Sequence, residues 1–329
     1  MIHVSSRARA VIACVALSAM LTACAASPDS TTTGPSPDLL QALPEPAAAP
    51  TTVPATPSVT PTTTKPKPAK PKTATAKPAR RGTATGAAAA GQTPAQIAAN
   101  WKPFGGDEFN GGALDGAKWG TYDSDGAFGF GKRSTSAISQ SGGSLHITAT
   151  KADGGVSGGM ADAQGQTYGR WEFRARTGPG AGFGSAILLW PDSEQLSDGE
   201  IDIVEVPFPK RDNANFILHS GSDGSSIVGG NMNGDFTQWH TYAVEWLPTS
   251  ITWYVDGVQR YRVTDSSRIP DTPMHLAIQL DQGPVKDWIP EIDDTTPDAI
   301  NLDVDWVHVY APATPVAPSP AASPTEQPE

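Results

Sequence analysis

Cysteine is nearly absent. Cys14 and Cys24 are the only two in a chain of 329 residues. Everything beyond them is without disulfides and without thiol chemistry, so its stability comes from packing, helped at most by a metal. No apolar run is long enough to cross a bilayer, because AVIACVALSAM (10–20) falls well short of the roughly 20 residues required. No long stretch carries the periodicity of an amphipathic helix, which argues against a helical fold. Basic charge is scarce in the part best able to fold. Residues 98–311 hold 14 Lys and Arg against 29 Asp and Glu, a net charge of −15. That balance argues against nucleic acid and anionic polymers as partners and leaves neutral polysaccharide open.

What is present divides the chain into four. Residues 1–23 read as an export signal, with Arg7 and Arg9 ahead of the apolar run. LTAC (21–24) resembles the bacterial lipobox, in which cleavage precedes the cysteine and its thiol is acylated. On that reading Cys24 anchors the exported protein to the outer face of the cell membrane, on the extracellular or cell-wall side. The alternative is an ordinary cleaved signal with an incidental cysteine. Residues 24–97 are rich in Pro, Thr, Ala and Lys, as in TKPKPAKPKTATAKPARR (64–81). They cannot bury enough apolar surface to offset ordering entropy and are expected to form a disordered linker. At about 3 Å per residue its reach is at most roughly 200 Å. Residues 312–329 form a second Pro/Ala-rich tail, also expected to be disordered. Residues 98–311 have the length of one domain.

Within that domain, short alternating segments recur: SLHITAT (144–150), RWEFRAR (170–176), GSAILLW (184–190), EIDIVEV (200–206), NFILHS (215–220), TYAVEW (241–246), ITWYVDG (251–257), VQRYRVT (258–264), HLAIQL (275–280) and VDWVHVY (304–310). Each reads as a strand, and Gly, Pro, Asp or Ser clusters separate many of them. Asp-Gly inside VDGVQ (255–259) is a hairpin signal. The expected fold is all-β, a two-sheet antiparallel sandwich of the jelly-roll kind. Most of the tryptophans in these strands are expected in the core.

GEIDIVEV (199–206) does not fit a purely structural strand, because it places Glu200, Asp202 and Glu205 among Ile and Val. Buried like charges this close repel and each costs several kcal/mol unless paired. Alternate side chains of a strand share a face, so Glu200 and Asp202 point one way while Ile201 and Ile203 point to the core. Glu205 breaks the parity, and a one-residue bulge after Asp202 would restore it. Cleavage of a glycosidic bond with retention uses two carboxyl groups about 5–5.5 Å apart. Glu200 and Glu205 start roughly 13 Å apart at Cα along such a strand, a gap that two leaning Glu side chains can close. Asp202 between them can share a proton with one partner and separate their ionisations.

EIDIVE resembles the E-x-D-x-x-E signature of glycoside hydrolase family 16, in its bulged-strand, laminarinase-like branch. FGGDEFNGGALDGAKW (104–119), YGRWEFRAR (168–176), SAILLWPDS (185–193), WHTYAVEWLPTSITWYVDG (239–257) and VDWVHVY (304–310) are similar to further blocks of that family, in its order. The resemblance implies a concanavalin A-like β-jelly roll with a concave cleft. It implies Glu200 as nucleophile, Glu205 as general acid/base and Asp202 as their support. It places Glu172, Arg174, Trp190, His219, Gln279 and Trp288 at the substrate. It also implies a structural calcium ion on the convex side at Glu108, the Gly143 carbonyl and Asp305, whose oxygen donors suit that ion; no organic cofactor is implied. One departure stands out: EQLSDGE (194–200) carries Gln195 and Leu196 where many members have Trp-Pro beside the cleaved bond.

The expected activity is retaining, endo-acting hydrolysis of a neutral polysaccharide, with β-1,3-glucan as substrate and a monomer as the working form. Two other readings use the same fold. A cell-surface transglycosylase would remodel an envelope polymer or exopolysaccharide with identical residues and a sugar acceptor. A carbohydrate-binding protein would need no catalysis, and the two glutamates argue against it.

Overall fold

The computed structural model describes residues 94–316. The export signal, Cys24 and most of the expected linker and tail lie outside them. A short helix α1 (Pro94–Asn100) leads into seventeen strands. These are β1 (Trp101–Asp107), β2 (Trp119–Thr121), β3 (Ser124–Asp125), β4 (Lys132–Arg133), β5 (Ile138–Ser141), β6 (Ser144–Thr150), β7 (Val156–Asp162), β8 (Gly169–Thr177) and β9 (Phe183–Pro191). There follow β10 (Glu200–Val206), β11 (Asn213–Ser220), β12 (Ser226–Asn233), β13 (His240–Leu247), β14 (Ser250–Val255), β15 (Val258–Val263), β16 (Met274–Gln282) and β17 (Ala299–Pro312). Residues 94–97, placed at the end of the expected linker, are helical.

Two layers result. The front sheet runs β12-β11-β10-β9-β16-β7-β2, all antiparallel. The back sheet runs β15-β14-β13-β8-β17, and β17 pairs beyond β8 with β6 along its first half and β1 along its second. The chain is thus an antiparallel jelly-roll sandwich, as its strand pattern implies. The Asp-Gly signal holds: Asp256 and Gly257 both take positive φ, 52° and 72°, between β14 and β15, which matches the twist of a tight hairpin.

The alternation in each strand decides what fills the space between layers. Trp171 and Phe173 of β8, Val244 and Trp246 of β13 and Trp253 of β14 meet Ile187, Leu189, Ile201, Phe216, Leu218 and Ile278 from the front sheet. Fully burying such a side chain contributes about 1.5–3 kcal/mol. With that face of the front sheet committed to the core, the opposite residues of β9, β10, β11 and β16 line its outer face, the one the family resemblance makes the concave cleft.

Candidate active site

Strand β10 begins abruptly. A single turn over Leu196–Asp198 is followed by Gly199 at φ +97°. A Cβ there would lie 2.5 Å from the Pro270 ring, so only glycine lets the chain enter the sheet at Glu200. The strand is buried along its whole length. Against β11, Asp202 faces Ile217 and Glu205 faces Asn215, three steps against two. Against β9, Asp202 faces Leu188 and Val204 faces Ile187. The extra residue is a bulge at Ile203–Val204, and both side chains pack into the inter-sheet core. Glu200, Asp202 and Glu205 consequently share the concave face. Trp253, on the opposite sheet, reaches across the core and donates its indole N–H to the Asp202 carbonyl at 2.8 Å. That bond falls where the ladder is interrupted, so a buried donor from the other layer holds the bulge.

The three acids are almost wholly shielded, at 0, 1 and 6% exposure for Glu200, Asp202 and Glu205. The side-chain oxygens of Glu200 and Asp202 receive no aligned hydrogen bond. Burial first, then the charges of Asp202, Glu205 and Asp281, pushes Glu200 well above the ordinary carboxylate range. Burial and the charges of Asp202 and Asp281 do the same to Glu205, opposed by the Trp288 indole as hydrogen-bond donor. His219 faces Glu200 across the ladder and brings Nε2 to 3.3 Å from Asp202 Oδ2. Burial alone would lower its pKa, but Asp202 outweighs that and raises it. The arrangement favours one proton held between coupled carboxyls over two free charges.

Of the other residues the sequence pointed to, Gln279 lies in the row Glu205, Ala186, Gln279, Gly159 across the sheet. It is buried, and its Oε1 has no hydrogen-bond partner. Trp288 joins the site through Glu205. Trp190 is on the concave side, but only 1% exposed. It packs with Tyr122, Leu188 and Ala277 and donates Nε1–H to Glu194 at 3.0 Å. Its ring lies in the floor of that face and is not an open stacking platform. Glu172 and Arg174 are not brought to the site. Trp171 and Phe173 of β8 fill the core, so their polar neighbours fall on the outer face of the back sheet. There Glu172 accepts from Arg170 at 2.9 Å, and Arg174 pairs with Asp305 and lies over the Trp239 ring.

Each carboxylate implied for calcium already has a partner. Asp305 is engaged by Arg174, Glu108 is held by His308 at 2.6 Å, and Gly143 sits in the turn between β5 and β6. Among the described residues no three His, Cys, Asp or Glu converge as a metal site.

The sequence reading missed a second buried constellation beside the acids. Tyr122 lies against Gly159, where a Cβ would come within 2.5 Å of its ring. Arg133 of β4 is 3% exposed and forks Nε and Nη2 onto one oxygen of Asp281, at 3.0 and 2.6 Å. Its guanidinium also lies over the Tyr122 ring. Asp281 was legible as the residue two beyond Gln279 on the same strand face. Tyr122 and Arg133 come from Gly- and Ser-rich segments without periodicity, and nothing local marks them.

Fold and site together define a β-sandwich whose concave face carries a shielded carboxylate trio on a bulged strand, a carbohydrate-active architecture. The chain belongs to the glycosyl hydrolases family 16, whose family model matches residues 127–308, more than half of it. A β-glucanase from Rhodothermus marinus is 32% identical over 168 residues, covering 44% of this chain and 57% of that protein. The chain thus spans little more than half the length of that relative. The X-ray structure of the laminarinase from Rhodothermus marinus superposes with a TM-score of 0.58 at 27% identity, over 65% of this chain and 98% of that one. The endo-β-1,3-glucanase from Pyrococcus furiosus shares the fold, with a TM-score of 0.60 at 22% identity, over 65% and 96% of the two chains.

Proposed function

We propose that the protein is a retaining, endo-acting glycoside hydrolase that cleaves β-1,3-linked glucan. The observation that carries this reading is the bulge in β10, which sets Glu200 and Glu205 on one buried concave face with Asp202 between them. Glu200 attacks the anomeric carbon as a carboxylate while Glu205 gives its proton to the departing glycosidic oxygen. A glycosyl ester forms on Glu200. Glu205, now a base, takes a proton from water, whose oxygen displaces Glu200 and releases the sugar with its starting configuration.

The electrostatics couple the two glutamates, while the roles given to each rest on the family resemblance. Burial and the Asp202 charge raise both glutamates, so ionisation of one strengthens the other's hold on its proton. Asp202, backed by His219, acts on both glutamates from the residue between them. Gln279 and Trp288 flank the pair and are assigned to the sugar, which fits an uncharged polymer better than an anionic one given the acidic domain. The similarity to glucan-cleaving relatives supports the substrate. We place the enzyme outside the cell, working as a monomer tethered through acylated Cys24, on the strength of the LTAC motif and the Pro-rich stretch after it.

The test is reducing-end release by the full chain from laminarin, mixed-linkage barley glucan, agarose, carrageenan and xyloglucan, beside Glu200→Gln. Release from laminarin that disappears in the variant is the expected result. Full activity in Glu200→Gln overturns the residue assignment. Products longer than the supplied oligosaccharide would make the protein a transglycosylase instead.

A further inference from the structure

The concave face does not end at the acids. Ala214, Phe216 and Leu218 of β11 point into the core, so Asn213, Asn215, Ile217 and His219 stand on the acid side. On β12, Val228 and Met232 pack inward and Gly230 lies against the Tyr261 ring. Ile227, Gly229, Asn231 and Asn233 are therefore turned outward beside them, and all four are exposed. The ladder pairs Asn215 with Glu205 on one side and with Asn231 on the other, and it pairs Asn213 with Asn233. Four asparagines thus form a block on one face of two paired strands, in register with Glu205.

Asparagine is depleted in strands, so propensity does not account for this block. Resting on the glycan-cleaving assignment above, we infer that Asn213, Asn215, Asn231 and Asn233 form a sugar-binding subsite that extends the cleft across β11 and β12 to the edge of the sheet. Each primary amide offers two donors and an accepting oxygen, the complement of sugar hydroxyls, which both donate and accept. Within the block, Asn213 Nδ2 reaches Asn233 Oδ1 at 3.1 Å and Asn231 Oδ1 at 3.5 Å, which orients the amides of the outer pair. Asn215 Nδ2 reaches back to the Glu205 carbonyl at 3.5 Å, tying the block to the catalytic strand. Beside the amides lie Ile217 and Ile227, the latter 44% exposed, with side-chain-free Gly229 between them. An apolar strip next to an amide row matches a pyranose, which has a C–H face and a hydroxyl rim. Two strand spacings separate Asn231 from Glu205, about 10 Å, so the subsite serves a unit beyond those at the cleaved bond.

Asn231 and Asn233 sit exposed on an edge strand, so Asn231→Ala with Asn233→Ala leaves the core intact. Laminari-oligosaccharides of increasing length are the probe, used two ways on the full-length protein. Calorimetric binding is measured in a Glu200→Gln background with and without the asparagine pair, and kcat/KM is measured in the catalytically intact forms. The expected result is a deficit that grows with chain length, to about ten-fold for the longest chains and carried by KM, the scale of two lost hydrogen bonds. Replacing both asparagines by Gln, which keeps the amides, should recover part of it. Length profiles that run parallel with and without the two side chains overturn the subsite. Binding that depends on the asparagines without cleavage by the intact protein would sink the hydrolase assignment while leaving the subsite standing. Absence of any binding removes both.

Discussion

Trp253→Phe isolates the contact that holds the catalytic strand in its bulged form. The substitution keeps an aromatic ring in the core but removes the N–H that reaches the Asp202 carbonyl at 2.8 Å. A buried acceptor left without its donor costs about 1–3 kcal/mol, and the smaller ring adds a cavity cost. For a domain of this size about 1 kcal/mol shifts Tm by roughly 2–4 °C, so a fall of about 3–10 °C is expected. Stability alone does not identify the role, and the control is Trp119→Phe. Trp119 is also buried and donates Nε1–H at 3.0 Å to Asp107 of β1, not to β10. Both variants should lose stability. Only Trp253→Phe should lose kcat, by about ten- to a hundred-fold with KM little changed, because a misplacement of about 1 Å at reacting groups costs on that order. Steady-state kinetics on laminarin beside differential scanning calorimetry makes the comparison. If the two variants lose kcat equally, the bulge does not depend on Trp253 and the reasoning fails.

Glu205→Gln should abolish turnover while raising Tm near neutral pH, because it removes a carboxyl that is costly to ionise where it sits. The sign follows from the raised values of Glu200 and Glu205: between their ordinary value of 4.5 and the raised one, the unfolded chain binds fewer protons, so stability falls as pH rises. Calorimetry from pH 4.5 upward should show that slope flattened in the variant, each tenfold weakening of ionisation being worth about 1.4 kcal/mol. His219, raised above 6.5 by Asp202 despite its burial, stabilises the fold fully below that value and loses its contribution as pH climbs through the raised one. His219→Gln should remove that part of the pH dependence. Arg133→Met leaves Asp281 buried without its cation, and urea titration should show a loss of about 3–5 kcal/mol. Arg211, whose burial draws its pKa down to about 10, donates to the carbonyls of Gly178, Phe183, Val206, Pro207 and Phe208. Arg211→Lys, with fewer donors in a different geometry, should cost at least about 2 kcal/mol in the same titration.

What the sequence could and could not say follows from what alternation encodes. A strand's period of two assigns each side chain to one of two faces, and it did so correctly for both EIDIVEV and RWEFRAR. It does not say which sheet the strand joins. In β10 the face opposite the core is the concave one, so the acids are where the pattern puts them, and the bulge is forced by the parity of Glu205. In β8 the same reasoning yields Glu172 and Arg174 opposite Trp171 and Phe173, yet β8 pairs with β13 and β17 in the other layer. Their polar face is a salt-bridged exterior because of long-range pairing that no local window contains. Strand β12 was invisible for the opposite reason. SIVGGNMN has a Gly pair and two Asn, residues that weaken a strand signal, and pairing with β11 overrides that weakness. A segment whose residues disfavour the conformation it adopts is a place where another demand has set the composition. On β12 three of those residues, Gly229, Asn231 and Asn233, are turned to the same face as Glu205.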